Sequence, residues 1–193
     1  MFGGAFDPPH RAHAALAQAA VAELRLDRLY VLPTGDAWHK QRTLTAAAHR
    51  LAMARLALGA LPRVAVDDRE LQRSGPTYSI DTLRELAAAH PGAELFLVIG
   101  EDQAAGFTGW REWQAIAALA TIAVAARGDA AGSPGIAALQ ALAGVRLRVL
   151  ALPRLAISAT DIRARLAVGQ DITRLVDPQV ASYIDRHHLY APA

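Results

Sequence analysis

The chain of 193 residues contains no cysteine, which excludes disulfides, thiolate nucleophiles and cysteine-ligated zinc. An excess of one sign of charge is also nearly missing: 20 Lys and Arg against 18 Asp and Glu leave a formal net charge of +2. That balance removes the basic patch a nucleic-acid binder needs, so no nucleic-acid partner is expected. Long apolar runs are lacking as well. The stretch "AIAALATIAVAA" (115–126) is too short to span a bilayer and reads as a buried strand with its approach, so no membrane partner is expected either. No basic region followed by an apolar run opens the chain; no secretory signal is read there, and the expected location is the cytoplasm.

What is present is 53% apolar and 20% charged, a balance that suits one globular domain over 1–193. Much of the apolar share is alanine, as in "AAAHRLAMARLALGAL", and favours helix. Short β-rich runs alternate with longer amphipathic ones. Strands are expected at 28–33, 63–68, 94–100, 121–127 and 147–152. Helices are expected at 13–25, 45–60, 78–90, 111–120 and 134–143, with two more at 159–168 and 178–187. Buried strands separated by helices predict an α/β, Rossmann-like doubly wound parallel sheet with helices on both faces, followed by a small helical segment over about 157–190. "GDAAGSPG" (128–135) reads as a flexible surface connection. A parallel sheet also needs a strand before Gly3, where only Met1 and Phe2 stand. Either that strand is a stub or the chain begins downstream of its natural start, the second being the favoured reading.

"GGAFDPPHRAH" (3–13) therefore sits where a first strand should run into a first helix. In such a sheet, ligands bind at the carboxyl ends of the strands. Gly3 and Gly4 let the backbone approach a ligand closely, and Pro8 with Pro9 stiffens the loop. His10 and His13 lie one turn apart near a helix start that favours anions. A plainer reading stays open at this point, a capping loop with two surface histidines. A His-x-x-His metal site lacks a third ligand, and no metal site is expected. Neither G-x-G-x-x-G nor a Walker sequence is present. "ISATDIR" (157–163) supplies a second signal: Ser158 as N-cap, Asp161 completing a Ser-x-x-Asp box, and Ile157 with Ile162 as a hydrophobic staple. Thr160 and Arg163 add a hydroxyl and a guanidinium beside that second helix start.

Together these stretches resemble two signatures of the HxGH-type nucleotidyltransferases, GGTFDPxHxGH and ISxTxIR. The pair is far more specific than either half. Within that superfamily the chain is similar to the nicotinate-nucleotide adenylyltransferase family through "LPTGDAWHK", "GPTYSIDTL", "VIGEDQ", "GWREW" and "VASYIDRHHLY", which run over nearly the whole length. Ala5 and Ala12 stand where the signature has Thr and Gly, and the methyl at 12 is read as tolerated.

The resemblance implies adenylyl transfer from ATP to nicotinate mononucleotide, giving deamido-NAD and pyrophosphate. His10, His13, Lys40 and Arg163 would be the catalytic residues. The ATP site would comprise Gly3, Gly4, Phe6, His10, His13, Gly100, Asp102, Ile157, Ser158, Thr160 and Arg163, with the β- and γ-phosphates at the 158–160 helix start. His39, Lys40, Tyr78, Ser79, Thr82 and Trp110 would bind the nicotinate nucleotide, Trp110 by stacking on the pyridine ring. Mg²⁺ would arrive with ATP, Asp7 bracing its loop rather than ligating metal. The attacking phosphate is already anionic, so the reaction needs charge neutralisation and in-line positioning rather than a general base. Alternatives are an enzyme acting on nicotinamide mononucleotide or phosphopantetheine, or a non-catalytic nucleotide sensor. Cytidylyltransferases carry a different C-terminal signature.

Overall fold

The computed structural model describes residues 1–35, 43–127, 133–152 and 155–191. His39, Lys40 and most of the 128–135 connection lie outside the described residues. Within them, six strands form one sheet: β1 (Phe2–Gly4), β2 (Leu29–Pro33), β3 (Val64–Val66), β4 (Leu95–Gly100), β5 (Ala120–Arg127) and β6 (Leu147–Leu152). Their order is β3-β2-β1-β4-β5-β6, and every neighbouring pair is parallel. The order runs outward from β1 to one edge, then restarts at β4 beside β1. That reversal opens a crevice beyond the carboxyl ends of β1 and β4. β1 is a short strand in which Phe2 pairs with both Val31 and Val98.

Side-chain alternation along the strands splits the core in two. On one face Leu97, Ile99, Ile122 and Val124 pack against α4 (Ser79–Ala89), α6 (Trp113–Leu119) and α7 (Pro134–Gln140), through residues such as Leu83, Ile116 and Leu139. On the other, Val98, Ala123 and Ala125 meet α1 (Arg11–Glu23) and α2 (Ala47–Leu58). Ala17 and Ala20 are fully buried on α1, so small side chains bring that helix close to the sheet. α8 (Ala159–Ala167) and α9 (Pro178–Arg186) form a third cluster, in which Ile162, Val180 and Ile184 join Met53 of α2. The C-terminal segment is thereby fastened to the layer that carries the first loop.

Three short elements escape the sequence pattern: α3 (Arg69–Gln72), α5 (Glu101–Ala105) and a 3-10 turn at Phe107–Gly109. None is long enough to display a helical period. The strand expected over 63–68 stops at Val66, because the Asp67 carboxylate accepts the Arg69 amide at 2.9 Å and starts α3. The helix expected over 134–143 closes at Gln140.

Candidate active site

The loop leaving β1 folds back on its own aromatic side chain. Phe6 takes a left-handed φ of 47°, packs edge-on against Phe2 at 5.4 Å and supports His13 from 5.0 Å. A Cβ on Gly4 would lie 3.2 Å from the Phe6 ring, so this close turn favours glycine there. His10 is the N-cap of α1. Its backbone N–H donates to His13 Nδ1 at 3.1 Å, and the two imidazoles stack with centroids 3.7 Å apart. Because Nδ1 accepts, the proton of neutral His13 sits on Nε2. Burial, then the charge of His10, holds the His13 imidazole well below its ordinary range. His13 is thus a neutral N–H donor beside a helix N-terminus. Ala12 lies within the first turn of α1, in ordinary helical backbone, where a methyl needs no glycine-like freedom.

The loop is held from several directions. Buried Arg50 donates to the Ala5 carbonyl at 3.0 Å and to the Thr45 carbonyl at 2.8 Å. Arg163 of α8 donates to the Asp7 carbonyl at 2.7 Å and to Thr160 Oγ1 at 3.1 Å. The Asp7 side chain, 1% exposed, accepts from the Thr45 amide at 3.2 Å and from the Tyr190 hydroxyl. Ser158 caps α8, accepting the Asp161 amide at 3.1 Å while donating to its carboxylate at 2.7 Å. Ile157 and Ile162 both join the α2–α8–α9 cluster.

A cavity of about 400 Å³ opens at the carboxyl ends of β1 and β4. Gly3, Gly4 and Ala5 form one wall. Thr77, Tyr78 and Ser79 at the start of α4, with Trp110 and Arg111 after the 3-10 turn, form the others. Trp110 is half-buried, backed by Phe107 at 5.8 Å, and the Arg111 guanidinium lies 4.5 Å over the Tyr78 ring. Thr77 Oγ1 is buried with no hydrogen-bond partner among the described residues. Glu70 also reaches this wall at 4% exposure, accepting the Thr82 hydroxyl at 2.8 Å. Burial pushes its carboxyl up to about 7, opposed by Thr82 and Arg73.

Of the residues named from sequence, Gly3, Gly4, Tyr78, Ser79 and Trp110 border the cavity. Thr82 does not. It is fully buried, and its hydroxyl is spent on Glu70 and on Arg73 at 2.8 Å, so it supports the wall from behind. The Phe6 side chain is likewise buried under His13, leaving only its backbone for a ligand. Gly100 ends β4 with its N–H on Gln103 Oε1 at 3.0 Å, and Asp102 is exposed on the first turn of α5; neither borders the cavity. His10 and His13 stack at the end of the Asp7 loop that leads away from it, and Arg163, bonded to Thr160, ties that loop to α8, whose N-cap is Ser158. Sequence reasoning overlooked Glu70, Thr77, Gln103 and Arg111 in the wall, and Arg50 and Tyr190 in the loop's bracing. Thr77, Gln103 and Arg111 sat inside motifs already singled out. Buried Glu70 and Arg50 had no pattern to announce them.

Residues 1–165 match the model of the family described as cytidylyltransferase-like. A relative from Albidiferax ferrireducens, named "Probable nicotinate-nucleotide adenylyltransferase", is 55% identical over 100% of this chain and 98% of its own. One of the same name from Bordetella petrii is 46% identical over 98% and 97%. Among solved structures, the Plasmodium falciparum nicotinic acid mononucleotide adenylyltransferase complexed with NaAD shares the fold with a TM-score of 0.78. The match is 20% identical and covers 98% of this chain and 95% of that one.

Proposed function

The chain belongs to the cytidylyltransferase-like family and, within it, to the nicotinate-nucleotide adenylyltransferases; from that premise we propose how its site transfers the adenylyl group of ATP to nicotinate mononucleotide, releasing pyrophosphate and forming deamido-NAD. A phosphate oxygen of the mononucleotide attacks the α-phosphorus, and the bond from that phosphorus to the bridging oxygen of pyrophosphate breaks. No proton has to be removed first.

The observation that carries this reading is the continuity of one loop. Gly3, Gly4 and Ala5 wall the cavity, and within one turn the same backbone delivers stacked His10 and His13. A mononucleotide seated in the cavity would present its phosphate toward those imidazoles. Neutral His13, donating through Nε2, suits an oxygen that gains charge in the transition state. The start of α8, tied by Arg163 to the Asp7 carbonyl, suits the departing pyrophosphate. Lys40 and His39 keep the phosphate-binding role implied by the family resemblance. Mg²⁺ enters as part of the ATP substrate, since the Asp7 carboxylate is occupied by Thr45 and Tyr190.

Acid rather than amide selectivity is supported by the cationic side of the cavity. Arg111 stands on Tyr78, and α4 begins at Ser79, so a guanidinium and helix-start amides flank the space beside Trp110. The test is pyrophosphate release with ATP plus nicotinate mononucleotide, beside nicotinamide mononucleotide and phosphopantetheine. Strong preference for the acid is expected. Preference for another acceptor overturns the substrate assignment, and ATP binding without turnover of any acceptor favours a sensor.

A further inference from the structure

We propose that Tyr190 is a positioning residue for adenylyl transfer, holding the histidine loop in register through its hydrogen bond to Asp7. The inference rests on the functional reading above for its kinetic consequence, though not for its geometry. Asp7 is a carboxylate at 1% exposure, and a charge so buried needs partners. One oxygen accepts the Thr45 amide and the other the Tyr190 hydroxyl, while Arg163 takes the main-chain carbonyl. The residue so gripped directly follows Phe6, the ring under His13, and shortly precedes His10.

Tyr190 comes from the far end of the chain, after α9. The tail that carries it is bent: His188 has φ 47° and Tyr190 φ 64°, left-handed values that side chains other than glycine seldom adopt. Contacts keep it there. The Leu189 amide donates to the Ile184 carbonyl at 3.0 Å, and both Leu189 and Tyr190 pack on the α2–α8–α9 cluster. Burial, then the Asp7 carboxylate, raises the Tyr190 phenol above its ordinary range, so it remains a donor throughout the neutral region. The C-terminal segment thus reaches the Asp7 residue of the reaction loop through Arg163 and through Tyr190.

Tyr190→Phe removes only the hydroxyl. Loss of a hydrogen bond to a buried charge is expected to lower kcat about tenfold, with KM for nicotinate mononucleotide unchanged because the cavity wall is untouched. The melting temperature should hold to within a few degrees. In an Asp7→Asn background the same substitution should cost much less, since the partner charge is already gone. A second readout needs no turnover: the imidazole NMR signals of His10 and His13 should move in Tyr190→Phe. Wild-type kcat with unshifted imidazole signals overturns the proposal, as does a loss that adds fully to that of Asp7→Asn. A wild-type protein inert toward nicotinate mononucleotide would instead count against the assigned reaction, leaving the imidazole shifts to decide the role of Tyr190.

Discussion

Glu70 shows what burial does to a single residue. Its carboxyl has an ordinary value near 4.5 and is pushed up to about 7 in the fold, so folding favours the protonated form. Between those values the folded chain binds a proton that the unfolded chain has released. Stability from this group therefore falls as pH rises from about 4.5 to about 7 and levels off above. Glu70→Gln keeps an acceptor for the Thr82 hydroxyl and cannot ionise. Thermal melts from pH 4.5 to 8 should show the Gln variant gaining on the wild type through that window and being the more stable above pH 7. Parallel curves would mean that Arg73 and Thr82 compensate the charge fully. His13 illustrates the opposite direction: burial keeps it neutral, which suits a hydrogen-bond donor to phosphate better than a permanent cation stacked on His10.

At the scale of elements, the cavity depends on three short pieces wedged together, and Gly35 is where they touch. A Cβ there would lie 2.3 Å from the Glu70 carbonyl oxygen and 2.7 Å from Thr77 Oγ1. Gly35→Ala must part the chain after β2 from α3 and from the approach to α4. Overpacking of this kind costs about 1–3 kcal/mol, measurable by urea unfolding. Since Thr77, Tyr78 and Ser79 carry the wall, KM for nicotinate mononucleotide should rise several-fold while KM for ATP stays put. An equal rise in both would place the disturbance at the loop of His10 instead. Such wedges were not legible in the sequence. The long helices and the strands β2 to β6 were, because their apolar periods extend over enough residues to read. α3 and α5 were too short for that, and the pairing of Gly35 with Glu70 and Thr77 is a tertiary contact between distant residues. The two signature motifs were legible as helix starts, yet nothing in "GPTYSIDTL" says that Thr82 faces Glu70 rather than the cavity.

The whole molecule reads as a parallel sheet whose order reverses beside β1, with a C-terminal pair of helices folded back onto α2. The reversal makes the cavity, and the fold-back brings Arg163 and Tyr190 to the Asp7 loop. The alternation of strand and helix predicted the sheet, and the switch point follows from its strand order. The separation of the cavity from the histidine cluster along one continuous loop emerges only in three dimensions. The direct test is a matrix of initial pyrophosphate-release rates, varying ATP and nicotinate mononucleotide, for wild type, His13→Ala and Trp110→Ala. The account predicts that His13→Ala loses about 100-fold or more in kcat, as removal of a transition-state donor does. Trp110→Ala should raise KM for nicotinate mononucleotide about tenfold through lost ring stacking, leaving KM for ATP unchanged. Wild-type turnover by His13→Ala, or a Trp110→Ala defect confined to ATP, would contradict it.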